Sequence, residues 1–117
     1  MASSQSAVAA RSSKAASIFA ALGDERRLEL LGRLGTRGPQ SIARLTEGTR
    51  VSRQAVTKHL NALARAGLVH GSREGRERIW EIRAGRLAEV RSYLDQISAQ
   101  WDGAIERLRA AVETDEP

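Results

Sequence analysis

Gln54, Thr57, Lys58, Asn61 and Arg65 lie within one helical stretch and carry amide, hydroxyl and cationic groups, with no carboxylate among them. At about 100° per residue they share one side of a helix that Ser52 caps and that runs to about Ala66. Val56, Leu60 and Leu63, joined by Ala55, His59 and Ala66, take the other side, which must therefore face a core. The outward groups are those that reach nucleobase edges and phosphates. Amides pair bidentately with adenine, guanidinium or ammonium with guanine, and hydroxyl or ammonium groups grip phosphate oxygens. Arg53, near the helix start, sits at the rim, placed for a phosphate, and Ser52 is counted with the same set. The alternative is a solvated face that lacks acids.

A second set follows at Arg73, Arg76 and Arg78, which flank a tip containing Gly75 between two extended segments. Beside a groove-reading helix, a basic hairpin would run along the phosphate backbone or into the minor groove. Glu74 and Glu77 are interleaved with these arginines, so a salt-paired, solvated loop stands as the competing reading.

Other chemistries are poorly supplied. Cysteine is absent, which removes disulfides, thiolate nucleophiles and cysteine-ligated metal sites. Only two histidines are present. His59 falls on the inward arc with Ala55 and Ala66 and reads as structural; His70, at the hairpin entry, reads as exposed. No nucleophile stands next to a base, and no glycine-rich phosphate loop or paired carboxylates in a cleft appear, so an enzyme is not expected. Nineteen Lys and Arg against 14 Asp and Glu give a formal charge of +5, which favours a polyanionic partner.

The elements that must position these groups follow from periodicity and punctuation. At 117 residues with 41% hydrophobic content the chain fits one domain with a modest core. Met1 to Ser13, rich in Ala and Ser, reads as a disordered tail without the features of a secretory signal. A short helix fits Ala15 to Leu22; Asp24 caps a second carrying Leu28, Leu30, Leu31 and Leu34; Ser41 caps a third through Leu45. After the groove-reading helix, Gly67 stands where a left-handed C-cap is usual, and the hairpin runs from Leu68 to Ile82. Leu87, Val90, Leu94, Ile97, Trp101, Ile105, Leu108 and Val112 then step by three or four along a long amphipathic helix. The expected domain is 14–113, with 114–117 as a frayed end. No apolar run approaches the roughly 20 residues of a membrane span, so a cytoplasmic protein is expected.

Three blocks together resemble the ArsR/SmtB family of winged helix-turn-helix repressors: 21–28 (ALGDERRL), 52–60 (SRQAVTKHL) with Leu63 and Ala66-Gly67-Leu68-Val69, and 73–76 (REGR). The match spans about Ile18 to Val112. It implies a mainly α fold with a small β-hairpin wing, a homodimer formed by the terminal helices, binding to an inverted-repeat operator in double-stranded DNA, and release by a signal. Ile18, Phe19, Leu87, Val90, Leu94, Ile97, Trp101, Ile105 and Leu108 are the expected dimer face. A last helix folded back fully on its own domain is the alternative.

The resemblance also marks departures. The cysteine pair of metal-sensing members aligns with Ser41 and Ala43, and Leu87 to Val112 contains no His, so no metal or other cofactor is expected. The signal stays open. Tyr93 and Trp101 on the last helix motivate one candidate, a small apolar inducer between the terminal helices. Two rivals to an operator-binding repressor also stand: a winged-helix protein-interaction module, and an architectural DNA binder indifferent to sequence.

Overall fold

A computed structural model describes the backbone of residues 4–114 and the side chains of 12–114. The elements run α1 (Ser4–Leu22), α2 (Glu25–Arg37), β1 (Gln40–Ser41), α3 (Ile42–Thr46), α4 (Arg53–Arg65), β2 (Val69–Glu74), β3 (Glu77–Ile82) and α5 (Ala84–Thr114). This is the mainly α winged helix-turn-helix architecture that the sequence predicts. The chain forms two compact units divided after Leu87, within α5.

In the first unit the core is made where the apolar sides of the helices meet the base of the sheet. Leu30, Leu31 and Leu34 of α2, Leu45 of α3, Val56, Leu60 and Leu63 of α4, and Leu68, Val69 and Trp80 of the hairpin are all buried. Side-chain caps set the helix starts. The Asp24 carboxylate accepts from the backbone N–H of Arg26 at 2.9 Å and of Arg27 at 3.2 Å. Ser41 Oγ accepts from Arg44 N at 3.2 Å, and Ser52 Oγ from Ala55 N at 3.1 Å. Each satisfies an N–H that the first helical turn leaves without a partner.

The end of α4 is equally defined. Gly67 adopts φ 78°, its N–H bonds to Ala64 O at 2.9 Å, and Leu68 N bonds to Leu63 O at 3.0 Å. That pair of bonds is the Schellman closure, and its left-handed residue favours glycine. The chain is thereby turned directly into β2. Strands β2 and β3 pair antiparallel from Val69↔Ile82 to Glu74↔Glu77, and Gly75 with Arg76 make the tip.

Four differences from the sequence reading appear. The sheet has a third strand, β1, paired with β3 through Gln40↔Trp80 and Ser41↔Ile79. Two polar residues are too few to show an alternating pattern. The tail expected over residues 1–13 is helical from Ser4 onward, while 1–3 lie outside the described residues. Alanine is the strongest helix former, and no Gly or Pro interrupts the run. At the other end α5 includes Thr114, the first residue of the expected fray, and 115–117 lie outside the described residues. Ile18, expected on a dimer face, is buried at 4% exposure within the first unit. It therefore packs the protomer's own core with Ala15 and Ala21, at helical spacing of three.

The second unit is the remainder of α5, a continuous helix in which no residue is fully buried. Leu94, Trp101, Ile105, Leu108 and Val112 are 47–67% exposed, along the apolar stripe the sequence predicts. Val90 and Ile97 are half-buried. Among the described residues no helix is long and apolar enough to cross a membrane.

The cap at Asp24 makes a pH-dependent prediction. The Arg27 N–H holds its carboxyl below the ordinary 3.8 against a desolvation that opposes it, with smaller help from the Arg26 N–H and the neighbouring His59 and Arg27 side chains. A lowered native pKa stabilises the fold above the unfolded value and loses that contribution as pH falls through the native one. Urea melts of Asp24→Ala should show a deficit against the native chain above pH 3.8 that closes as the pH drops below it. A deficit that persists undiminished at the acid end would show that the carboxylate charge is not what caps α2.

Candidate nucleic-acid interface

Helix α4 presents its two sides as its sequence pattern requires. Val56 is 4% exposed, and Leu60 and Leu63 are 0% exposed. With that side committed to the core, Ser52, Arg53, Gln54, Lys58 and Arg65 are exposed, and Thr57 and Asn61 are half-buried at the flanks. An open groove of about 820 Å³ gathers Ser52, Gln54, Thr57, Lys58, Asn61 and Arg65, together with Ala55. All the predicted α4 residues but Arg53 line one surface, with no carboxylate among them. Ala55, placed inward by the sequence reading, is half-buried and borders this groove.

Thr57 is partly engaged within its own helix. Its hydroxyl donates to Arg53 O at 2.8 Å, so its proton is committed within the helix. The oxygen keeps acceptor capacity, but as a donor to phosphate the side chain is already engaged. Gln54 and Asn61 remain as the neutral groups that can both donate and accept at a base edge.

Other contacts brace α4 from α2. His59 is half-buried, and its Nδ1 accepts from Arg27 Nε at 3.3 Å. The same arginine donates to Ala21 O at 3.4 Å. Arg27 thus links the end of α1 to α4, and His59 takes the structural part the sequence assigns to it. Arg33 Nη1 donates to Leu45 O at 2.9 Å, and Thr49 Oγ1 donates to Thr46 O at 2.8 Å, fixing the turn between α3 and α4.

The wing resolves the ambiguity of its alternating charges. Arg73 stands directly opposite Arg78, and Glu74 directly opposite Glu77. Since successive strand residues point to opposite faces, the arginine pair and the glutamate pair occupy different faces. Among the described residues no ion pair joins these arginines to these glutamates; a surface pair joins Arg109 to Glu106 at 3.6 Å. The salt-paired loop is therefore not what forms. On the basic face Arg73, Arg76 and Arg78 surround a cleft of about 370 Å³ whose floor includes Gly71.

Two contributors to the wing escaped the sequence reading. The Arg78 guanidinium carbon lies 4.6 Å from the centroid of the Trp80 ring, a cation–π contact. Gly71 faces Trp80 across the strand pair and leaves room for this stack. The available signal was an isolated glycine inside a strand pattern, which often marks a close approach. Among the described residues no cluster of three or more His, Cys, Asp or Glu could hold a metal ion.

This arrangement has relatives. Residues 16–71 match the model of a helix-turn-helix domain. The chain is 31% identical over 84 residues to the uncharacterized HTH-type transcriptional regulator MJ1325 of Methanocaldococcus jannaschii, covering 72% of this chain and 94% of that one. Its structure is similar to an ArsR-like transcriptional regulator from Rhodococcus sp. RHA1, with TM-score 0.73 and 42% identity over 89% of this chain and 94% of the other. It is also similar to the homodimeric winged helix-turn-helix DNA-binding domain Mb0332 of Mycobacterium bovis. There the TM-score is 0.66 and the identity 27%, covering 86% of this chain and 91% of that domain.

Because Ser52 Oγ caps α4 at its outer edge, Ser52→Ala should cost about 1 kcal/mol of stability in urea unfolding. Ser52→Asp, which restores an acceptor, should recover most of it. Equal stability of the alanine variant and the native chain would remove the cap from the account of how α4 begins.

Proposed function

The chain belongs to the ArsR-like family of winged helix-turn-helix regulators and is a DNA-binding transcriptional regulator rather than an enzyme; from that premise we propose a dimeric repressor of an inverted-repeat operator. The observation that carries the reading is the acid-free outer surface of α4, opposite a fully buried apolar side. In this proposal Gln54 and Asn61 read base edges in the major groove, with Lys58 and Thr57 beside them. Ser52, Arg53 and Arg65 hold the phosphate backbone, and Arg73, Arg76 and Arg78 make the wing contacts.

The dimer half of the proposal rests on the exposed stripe of α5. Leu94, Trp101, Ile105 and Leu108 would leave a continuous apolar strip in water if nothing covered it. A second copy is the occupant that two-fold operators call for. The homodimeric state of the Mycobacterium bovis domain supports this choice. Sedimentation of the native chain at micromolar concentration should give twice the monomer mass, and Leu108→Glu should give the monomer. A native chain that sediments as a monomer refutes the dimer.

Fluorescence anisotropy against the chain's own upstream DNA and a shuffled control, at several salt concentrations, tests the main claim. The expected result is a preference of about a thousandfold or more, with affinity falling as salt rises. Gln54→Ala should cost about 1–3 kcal/mol on the preferred duplex and relax selection at the base it touches. Arg76→Ala should weaken binding to both duplexes alike and flatten the salt dependence. Equal losses on both duplexes for Gln54→Ala would end its assignment as a base reader.

A further inference from the structure

The wing places a cation over a buried aromatic ring. Trp80 has no exposed surface, so its ring is a rigid platform within the first unit. Arg78, two residues before it on the same strand face, lays its guanidinium over that ring at 4.6 Å. Across the sheet a Cβ at Gly71 would stand 2.7 Å from Arg78 Nε and 3.1 and 3.2 Å from Trp80 Cζ3 and Cε3. The guanidinium therefore occupies space that any other residue at 71 would fill. Arg73, on the opposing strand, and Arg76, at the tip, complete the cleft.

We propose that Gly71 and Trp80 are positioning residues that hold Arg78 as a reader of minor-groove width, giving the protein a preference for A·T-rich DNA outside the bases that α4 touches. The proposal rests on the wing contacting DNA as set out above and adds how one of its arginines discriminates. A guanidinium over a ring keeps its N–H donors, and its planar shape suits a narrow groove. Narrow grooves occur in A-tracts and concentrate negative potential, which draws in arginine. Guanidinium is also more weakly hydrated than ammonium, so it enters such a groove more readily than lysine. Arg73 and Arg76, on either side, are placed for the phosphates that wall the groove. Trp80 further explains how two arginines can be tolerated directly opposite each other, because one of them is drawn onto the ring.

The test uses the full chain and the duplex that it selects from a randomised library, rebuilt with A-tract or with alternating G·C flanks. The native chain should prefer the A-tract version by roughly tenfold. Gly71→Ala and Arg78→Ala should each erase that preference, and the double variant should be no worse than Arg78→Ala alone, since the two act through one contact. Arg78→Lys should keep the salt dependence of binding yet lose the preference, which distinguishes orientation from charge. If Gly71→Ala fails to fold, Arg78→Lys, at an exposed position, still decides the matter. Equal binding to both flanks by the native chain, or native preference in Gly71→Ala or Arg78→Lys, overturns the proposal and leaves the repressor reading standing. Failure of the native chain to select any duplex overturns both.

Discussion

The burial of one side of α4 is the constraint on which the molecule depends. Leu60 and Leu63 give up all their accessible surface, and Val56 nearly all. Full burial of such side chains is worth roughly 1.5–3 kcal/mol each, far more than any single polar contact at the surface, so the helix cannot rotate about its axis. Rotation by one position would drive Thr57 and Asn61, or in the other sense His59, into the core. The outward direction of the polar side is thus set by the apolar side. The caps at Ser52 and Gly67 then set where the helix starts and stops, and the Arg27–His59 bond ties it to α2.

The wing follows a different logic, in which like charges are set opposite each other. Like charges directly opposite in a sheet are unfavourable, and this hairpin carries two such pairs, Arg73 with Arg78 and Glu74 with Glu77. Exchanging one residue between the pairs would give two favourable oppositions. The arrangement that exists sorts the charge by face instead, leaving the face of Arg73 and Arg78 free of Glu74 and Glu77. What keeps the hairpin formed is its base, where Val69 and Trp80 are buried and β1 adds a third strand.

Much of this was legible in the sequence, and the remainder was hidden for identifiable reasons. The 3.6-residue pattern and the punctuation by Asp24, Ser41, Ser52 and Gly67 are local signals, and the caps form at those residues. The alternation of Arg and Glu on the wing was visible, but its meaning depended on register, which only the pairing Arg73↔Arg78 supplies. β1 is stabilised by its partner strand and not by any pattern of its own. Ile18 sits on a short apolar face that could equally have served the protomer or a neighbour, and only packing distinguishes the two. Thr57 looked like a free donor because a bond to the carbonyl four residues back leaves no mark in residue type.

Magnitudes also argue for how recognition is divided between copies. In the proposed reading Gln54 and Asn61 are the neutral base readers on α4, and a good bidentate pair discriminates by about 1–3 kcal/mol. One protomer then commands roughly 2–6 kcal/mol from these two, which reaches only the lower part of the roughly 4–10 kcal/mol that separates specific from non-specific binding by typical regulators. Cations on the same face, Arg53, Lys58 and Arg65, raise affinity for all DNA and so do little to widen that gap. Doubling the readers by pairing two copies over two half-sites brings the total into range without any new residue type. In the proposed reading the exposed stripe of α5 and the short list of readers on α4 serve one requirement: two copies together read more bases than one.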